Sequence, residues 1–296
     1  MAAQRPKGRP AARGRLHPGN TLNDLTGSEW VQATKSWFVC DGCRTPPGDG
    51  VEAHPASFPP ELAERLIRLF TKQGATVLDP FAGTGSTLVA CAATGRRGIG
   101  VELMAPYVEA ARRRLDAECR PPHRDRQQLI EGDARELLSL VREPVDLCLT
   151  SPPYWDMLHH SRGGVISAHR RRAARGLDTR YSSDNRDLGN VADYAGYLEA
   201  VEGVCRQVAE LLRPGKHVVL VAQNVRVRTG EMVPVAWDLA QRLGRFLLLQ
   251  QELVWCQDQK PLGCWGYPTT YVSNVHHHYC LVLRKAKDGP PDGGAA

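Results

Sequence analysis

From Gly74 onward, short β-branched runs alternate with longer stretches of helical periodicity, and that alternation commits the chain to a parallel sheet wrapped by helices. Parallel neighbours cannot be joined by a tight turn, so most consecutive strands must be separated by a crossover. The strand segments are 76–78, 98–101, 128–131, 146–150, 217–222, 246–255 and 279–284. Among the connections, Tyr194, Tyr197, Leu198, Val201, Val204, Cys205, Val208, Leu211 and Leu212 recur at three- and four-residue steps. This spacing predicts an amphipathic helix, capped by Asp193 and ended by Gly215 after Pro214. Tyr194 and Tyr197 are read as its core residues rather than as a stacking platform. Pro60 and Glu61 open another helix, over 61–71, ahead of the first strand. No repeat at a solenoid or propeller period is present.

With 42% apolar and 24% charged residues, the 296-residue chain has the composition of an ordinary globular protein. No apolar run approaches the roughly 18 to 20 residues of a membrane span. The first twenty residues hold Arg5, Lys7, Arg9, Arg13 and Arg15 and no acid. They lack the apolar stretch of a secretory leader, and Pro6, Pro10 and Pro18 would break a transit helix. A disordered basic arm over 1–20, one domain over 21–285 and a disordered tail over 286–296 are therefore expected. Nine cysteines, an odd number at irregular spacings, suit a reducing cytoplasm. Cys40 and Cys43 form a single CxxC whose zinc partners would have to come from Cys264, Cys280 or His276–His278. We read the pair as loop, the histidines as structural or rim residues, and expect no metal. The formal net charge of +6 favours a polyanionic partner. Two long irregular stretches, 155–190 and 257–275, are insertions of the kind that carry function. The first is basic, with arginines at 162, 170, 171, 172, 175 and 180 against Asp178, although a solvated insertion would have the same composition.

The chemistry concentrates at strand ends. The first strand runs into Asp79-Pro80-Phe81-Ala82-Gly83-Thr84-Gly85-Ser86-Thr87, a glycine turn opening a helix, where backbone can approach a ligand. The dinucleotide pattern GxGxxG is incomplete, because Leu88 occupies its third position. Glu102 ends the second strand, where a carboxylate can take both hydroxyls of a ribose, and Asp133 follows the third. Three acids at three consecutive strand ends point to a nucleoside pocket, while Asp79 and Asp133 can also be read as helix caps. The fourth strand delivers Ser151-Pro152-Pro153-Tyr154-Trp155 to the same edge. Two prolines fix the direction of the carbonyls in this turn. The Ser151 hydroxyl and Pro152 carbonyl can accept both protons of an exocyclic amine, with Tyr154 stacked on the base. Such a site activates the amine without a covalent intermediate or a catalytic cysteine. The alternative is a proline-rich turn carrying a core tyrosine.

Asp79 to Gly85 and Ser151 to Tyr154 resemble the cofactor and catalytic motifs of the amino-group DNA methyltransferases, which modify cytosine N4 or adenine N6. The similarity runs from about Leu22 to Lys285, through His54–Pro60, Leu212-Arg213-Pro214-Gly215 and Tyr279–Lys285. It implies a Rossmann-like class I α/β fold: a seven-stranded, mostly parallel sheet with an antiparallel last strand and helices on both faces. It implies S-adenosylmethionine held by Asp79, Phe81, Ala82, Gly83, Thr84, Gly85 and Ser86, with Glu102 on the ribose, Asp133 at the adenine amine, and residues near 54–58 closing the methionine end. Catalysis falls to Ser151, Pro152, Pro153 and Tyr154 on a flipped base. Because no large recognition domain remains in the chain, DNA contact is assigned to Trp155, Arg162, Arg170, Arg171, Arg172 and Arg175, with loop 257–275. The initial serine of the catalytic motif favours cytosine N4. Adenine N6, an RNA base, or a catalytically inactive nucleic-acid-binding protein remain as alternatives. The implied partner is DNA, duplex or single-stranded, with a restriction endonuclease counterpart compatible with the family. No membrane is implied, the setting is cytoplasmic and, in a prokaryote, beside the nucleoid, and the oligomeric state is open.

Overall fold

Side-chain alternation along the central strands sorts the core into two halves. The computed structural model describes residues 14–41, 58–153, 155, 184, 186–227, 230–260, 262–264 and 266–287. Its strands are β1 Trp37–Val39, β2 Thr76–Asp79, β3 Arg97–Glu102, β4 Gln127–Glu131, β5 Val145–Thr150, β6 Leu212–Ala222, β7 Val225–Arg226, β8 Met232–Val233, β9 Leu248–Cys256 and β10 His277–Arg284. The helices are α1 Gly27–Ala33, α2 Pro60–Phe70, α3 Ser86–Thr94, α4 Ala105–Glu118, α5 Leu137–Leu140, α6 Tyr194–Leu211 and α7 Val235–Leu243. Leu78, Cys148, Val218, Leu220, Leu281 and Leu283 point to one face and pack with α6 and α7. Val77, Leu147, Leu149, Val219, Val221, Cys280 and Val282 point to the other and pack with Leu62, Leu66, Ile67 and Phe70 of α2. A strand buried on both faces reads as a continuous apolar run, as these do.

Eight strands form the sheet in the order β1-β9-β10-β6-β5-β2-β3-β4. Within it β10 alone runs against its neighbours, antiparallel to both β6 and β9. The fold class expected from the sequence is thus the one observed, with an eighth strand added. That strand, β1, pairs in parallel with β9 through Trp37↔Val254 to Val39↔Cys256. Three residues are too few for alternation to reveal, and the β7–β8 hairpin escaped notice for the same reason.

Two boundaries differ from expectation. Helix α6 is capped by Asp193, whose carboxylate accepts from Gly196 N (2.7 Å), but it ends at Leu211 rather than running to Gly215. Pro214 forces the preceding residues toward extended backbone, so Leu212 already belongs to β6 and pairs with Val145. Strand β9 starts at Leu248, because Phe246 N and Leu247 N still bond to Leu243 O at the end of α7. Part of the expected basic arm falls among the described residues. Residues 14–20 are described, with Asn20 Oδ1 accepting from Leu22 N and Asn23 N, while 1–13 and the tail from 288 lie outside the described residues. Among the described residues, no helix is long and apolar enough to cross a membrane.

Candidate active-site cleft

Strand β2 lies between β3 and β5, so the chain turns to opposite sides of it in building the sheet. Ligands of open α/β sheets bind at the carboxyl ends of strands beside such a reversal. A cleft of about 810 Å³, partly open to solvent, lies there. Its walls include Phe81, Ala82, Gly83, Thr84 and Ser86 after β2, Glu102 at the end of β3 and Met104 beyond it, Asp133 after β4, and Ser151, Pro152 and Pro153 after β5.

The turn after β2 is locked from several sides. Ala82 N donates to Val101 O (2.9 Å) and Gly85 N to Ala82 O (2.8 Å). Gly85 has φ +79°, and an added Cβ would lie 3.1 Å from the Ala111 Cβ of α4, so both conformation and space select glycine. Behind the turn, Arg114 of α4 reaches Ser86 Oγ (3.0 Å) and the Thr84 carbonyl (3.4 Å).

The three acids predicted at strand ends have three different environments. Glu102 is 8% exposed; its Oε2 accepts from Gly83 N (2.8 Å) and its Oε1 from Met104 N (2.9 Å). Burial pushes its carboxyl up to about 7, against the lowering effect of those two amides. Asp133 caps the short Ala134–Glu136 turn and is gripped by Arg135, whose Nη2 lies 2.6 Å from Oδ2. Partial burial opposes its charge, but the Arg135 side chain and amide outweigh this and hold the carboxyl below the ordinary aspartate value. The cap and pocket readings of Asp133 therefore coexist. Asp79 is 1% exposed and does not line the cleft. It sits under the floor, accepting from Phe81 N, Thr87 Oγ1 and Thr150 Oγ1.

Of the remaining expected residues, Gly85 shapes the turn without lining the cleft, and Phe58 is among the residues that line it. Tyr154, Arg162, Arg170, Arg171, Arg172, Arg175 and residues 54–57 lie outside the described residues. Trp155, expected to contact DNA, is half-buried. Its ring packs 4.8 Å from that of Tyr194 against the α6 core, and its indole nitrogen is buried, because an apolar face was available to it beside the sheet. Tyr197 is fully buried and Tyr194 donates to Asp238 Oδ2 (2.6 Å), as core residues of α6. His278 stacks on Trp255 at 4.5 Å, and burial pulls its imidazole down to about 3. The described cysteines are free, Cys43 lies outside the described residues, and no cluster of three metal-ligating side chains occurs among those described.

Sequence reasoning missed Leu103, Met104 and Tyr107 on one wall and Arg186, Asp187 and Leu188 on another. The first group could have been found from its place directly after Glu102. The second lies near the end of the 155–190 insertion and carries no local signature. Loop 257–275 is tied at its base by Gln257 N to His276 O (2.7 Å) and across it by Gly263 and Asn274, which exchange two hydrogen bonds. It presents Tyr267 and Tyr271 to solvent at the same sheet edge.

The sheet order and the cleft at its reversal define a Rossmann-like methyltransferase fold. TrmN from Thermus thermophilus shares this fold with a TM-score of 0.50 and 20% identity, over 78% of this chain and 50% of that one. Residues 18–113 match the profile of the DNA methylase family, a segment that holds the glycine turn and Glu102. The chain is 46% identical over 103 residues to the Type II methyltransferase M2.DpnII of Streptococcus pneumoniae, covering 35% of this chain and 34% of that protein. It is 42% identical over 65 residues to the Type II methyltransferase M.HpaI of Haemophilus parainfluenzae, covering 22% and 21%. The matched segments thus span about a third or less of these relatives. Over that segment the kinship with amino-group DNA methyltransferases expected from the motifs holds. For the family matched over that segment, S-adenosylmethionine is the implied cofactor.

Proposed function

We propose that the protein transfers a methyl group from S-adenosylmethionine to an exocyclic amine of a base in DNA, with cytosine N4 preferred. One observation carries the reading: Ser151, Pro152 and Pro153 line the same cleft as the glycine turn and Glu102. A cofactor turn and a rigid pair of amine acceptors therefore face one cavity from adjacent strands.

The residues present suit the cofactor, which supplies an electrophilic methyl group on a sulfonium sulfur. Each Glu102 oxygen accepts one backbone N–H. A carboxylate has about four lone-pair sites, so acceptor capacity remains for two ribose hydroxyls. Phe81, Met104, Tyr107 and Leu188 offer apolar wall for an adenine, and Asp133 stands at that wall as an acceptor for its amine.

The chain's own residues act on the base. The Ser151 hydroxyl and Pro152 carbonyl accept its two N–H bonds, drawing the nitrogen toward tetrahedral geometry and freeing its lone pair. S-adenosylmethionine, when bound, would supply its methyl group to that lone pair and keep the sulfur's bonding electrons, and the nitrogen would then shed one proton to solvent. Orientation and fixed dipoles lower the barrier without a protein-bound intermediate. Reaching a duplex base requires flipping it, at a cost of a few kcal/mol. Stacking on Tyr154, at about 1–3 kcal/mol per base, offsets much of this. Arg162, Arg170, Arg171, Arg172 and Arg175, with the exposed tyrosines of loop 257–275, supply DNA contact in this reading. The relatives named Type II methyltransferases support a site-specific enzyme with a restriction endonuclease counterpart.

The test is transfer from methyl-labelled S-adenosylmethionine to single-stranded DNA, duplex DNA and RNA, followed by mass spectrometry of the nucleosides. N4-methylcytosine from DNA is the expected product. N6-methyladenine would change the base, label confined to RNA would change the polymer, and no label despite cofactor binding would leave a nucleic-acid-binding protein. Tyr154→Ala is expected to lose most transfer while keeping cofactor affinity by calorimetry.

A further inference from the structure

The ladder between β2 and β5 consists of two registered pairs, Val77↔Leu147 and Leu78↔Cys148. It stops before Asp79 and Thr150, the last residues of the two strands and the ones that lead into the cleft. Where the backbone pairing ends, a side-chain connection takes over. Thr150 Oγ1 donates to Asp79 Oδ1 (2.7 Å) across 71 residues of sequence. The same carboxylate accepts from Phe81 N (3.1 Å) on Oδ1 and from Thr87 Oγ1 (2.6 Å) on Oδ2.

The carboxylate thus gathers the start of the glycine turn, the first turn of α3 and the residue directly before Ser151. Asp79 is not the cap of α3, a position held by Gly85. Among the described residues no lysine or arginine forms an ion pair with it, so hydrogen bonds alone offset its burial. A buried acceptor of this kind holds its donors tightly, because releasing any one leaves buried polar atoms unsatisfied. Its strength lies at the point where two strands part to form a cavity.

We propose that Asp79 and Thr150 are positioning residues that set the Ser151–Pro153 turn against the glycine turn, so that amine acceptors and cofactor stay in register. The inference rests on the methyltransferase reading above. Misplacement by an ångström is enough to slow a transfer about a hundredfold, so small motions of this bridge are expected to be visible in rate.

The variants are Thr150→Val, which keeps the shape and removes the hydroxyl, Thr150→Ser, which keeps the hydroxyl, Thr87→Val, and Thr87→Val combined with Thr150→Val. Thr150→Val is expected to lower kcat for DNA methylation about tenfold or more. Its affinity for S-adenosylhomocysteine by calorimetry should stay within about threefold, since Thr150 does not line the cleft. Thr150→Ser should recover kcat to within about threefold of the parent. The double variant should lose less than the product of the single losses, because both hydroxyls serve one carboxylate. Independently of activity, amide hydrogen exchange at Phe81 should quicken in Thr150→Val and return to the parent rate in Thr150→Ser. Parent-like kcat in Thr150→Val, equal impairment of the serine and valine variants, or unchanged exchange at Phe81 would each overturn the bridge. A parent protein that methylates no nucleic acid would overturn the functional reading instead, and the exchange measurement would still decide the bridge.

Discussion

Two carboxylates face the same cleft from neighbouring strand ends, and their surroundings are opposites. Glu102 is buried, has no ion-pair partner among the described residues, and bonds to two backbone amides, so its carboxyl is pushed up to about 7. Asp133 lies at a rim with Arg135 clasped to it, beside Arg186 and its own partner Asp184, and its carboxyl is held below the ordinary value. One wall leaves acceptor capacity underused at an energetic cost, and the other has already satisfied its charge. Ligand donors gain most where a charge is buried and under-solvated. Glu102 should therefore carry binding strength and Asp133 mainly selectivity for the adenine edge.

The strongest way to break this contrast is to neutralise both positions. Glu102→Gln should weaken S-adenosylhomocysteine binding by about ten- to a hundredfold, the range expected when hydrogen bonds to a charged acceptor are lost. Asp133→Asn should cost markedly less in the same calorimetric titration. Equal losses, or a larger loss at Asp133, would reverse the assignment of the two walls.

A pH series sharpens the same contrast. In the unliganded protein Glu102 is largely protonated below about pH 7, and in the proposed site ribose hydroxyls would donate to its charged form. Binding therefore lowers its pKa, so affinity is fully present above 7 and falls as pH drops through that value. From pH 8 to pH 6 the expected loss is about tenfold, one proton's linkage over one pH unit below the pKa. Asp133, with its carboxyl depressed, contributes nothing in this window. The slope should vanish in Glu102→Gln and persist in Asp133→Asn; a slope surviving the glutamine substitution would place the titrating group elsewhere.

The two walls also differ in how far the sequence announces them. Glu102 was legible because a strand, a glycine turn and a strand-end acid form a pattern whose chemistry depends on order alone. The central strands were equally plain, since residues buried on both faces leave long apolar runs. Leu188 and Arg186 were not legible, because they lie near the end of the long 155–190 insertion, whose path no periodicity records. Asp79 was placed among the cofactor contacts on its position in the motif. Only three dimensions show that its oxygens turn inward to Thr87 and Thr150 rather than up to the cleft. Trp155, beside the Ser151–Pro153 turn, packs its ring on Tyr194, a contact that sequence order does not record.

The smallest expected effect tests the exposed side of the contrast. Arg135 is 43% exposed, and its pair with Asp133 is open to water on one side. Exposed pairs contribute about 0–1 kcal/mol, because solvent already stabilises both partners. Arg135→Ala should let the Asp133 carboxyl rise toward its ordinary value, which still leaves it charged at neutral pH. S-adenosylhomocysteine affinity should then stay within about threefold of the parent, and the 3-10 turn at Ala134–Glu136 should persist because the Arg135 amide, not its side chain, completes the cap. A tenfold loss would mean that the arginine orients Asp133 for the adenine, and the rim wall would share in binding strength rather than in selectivity alone.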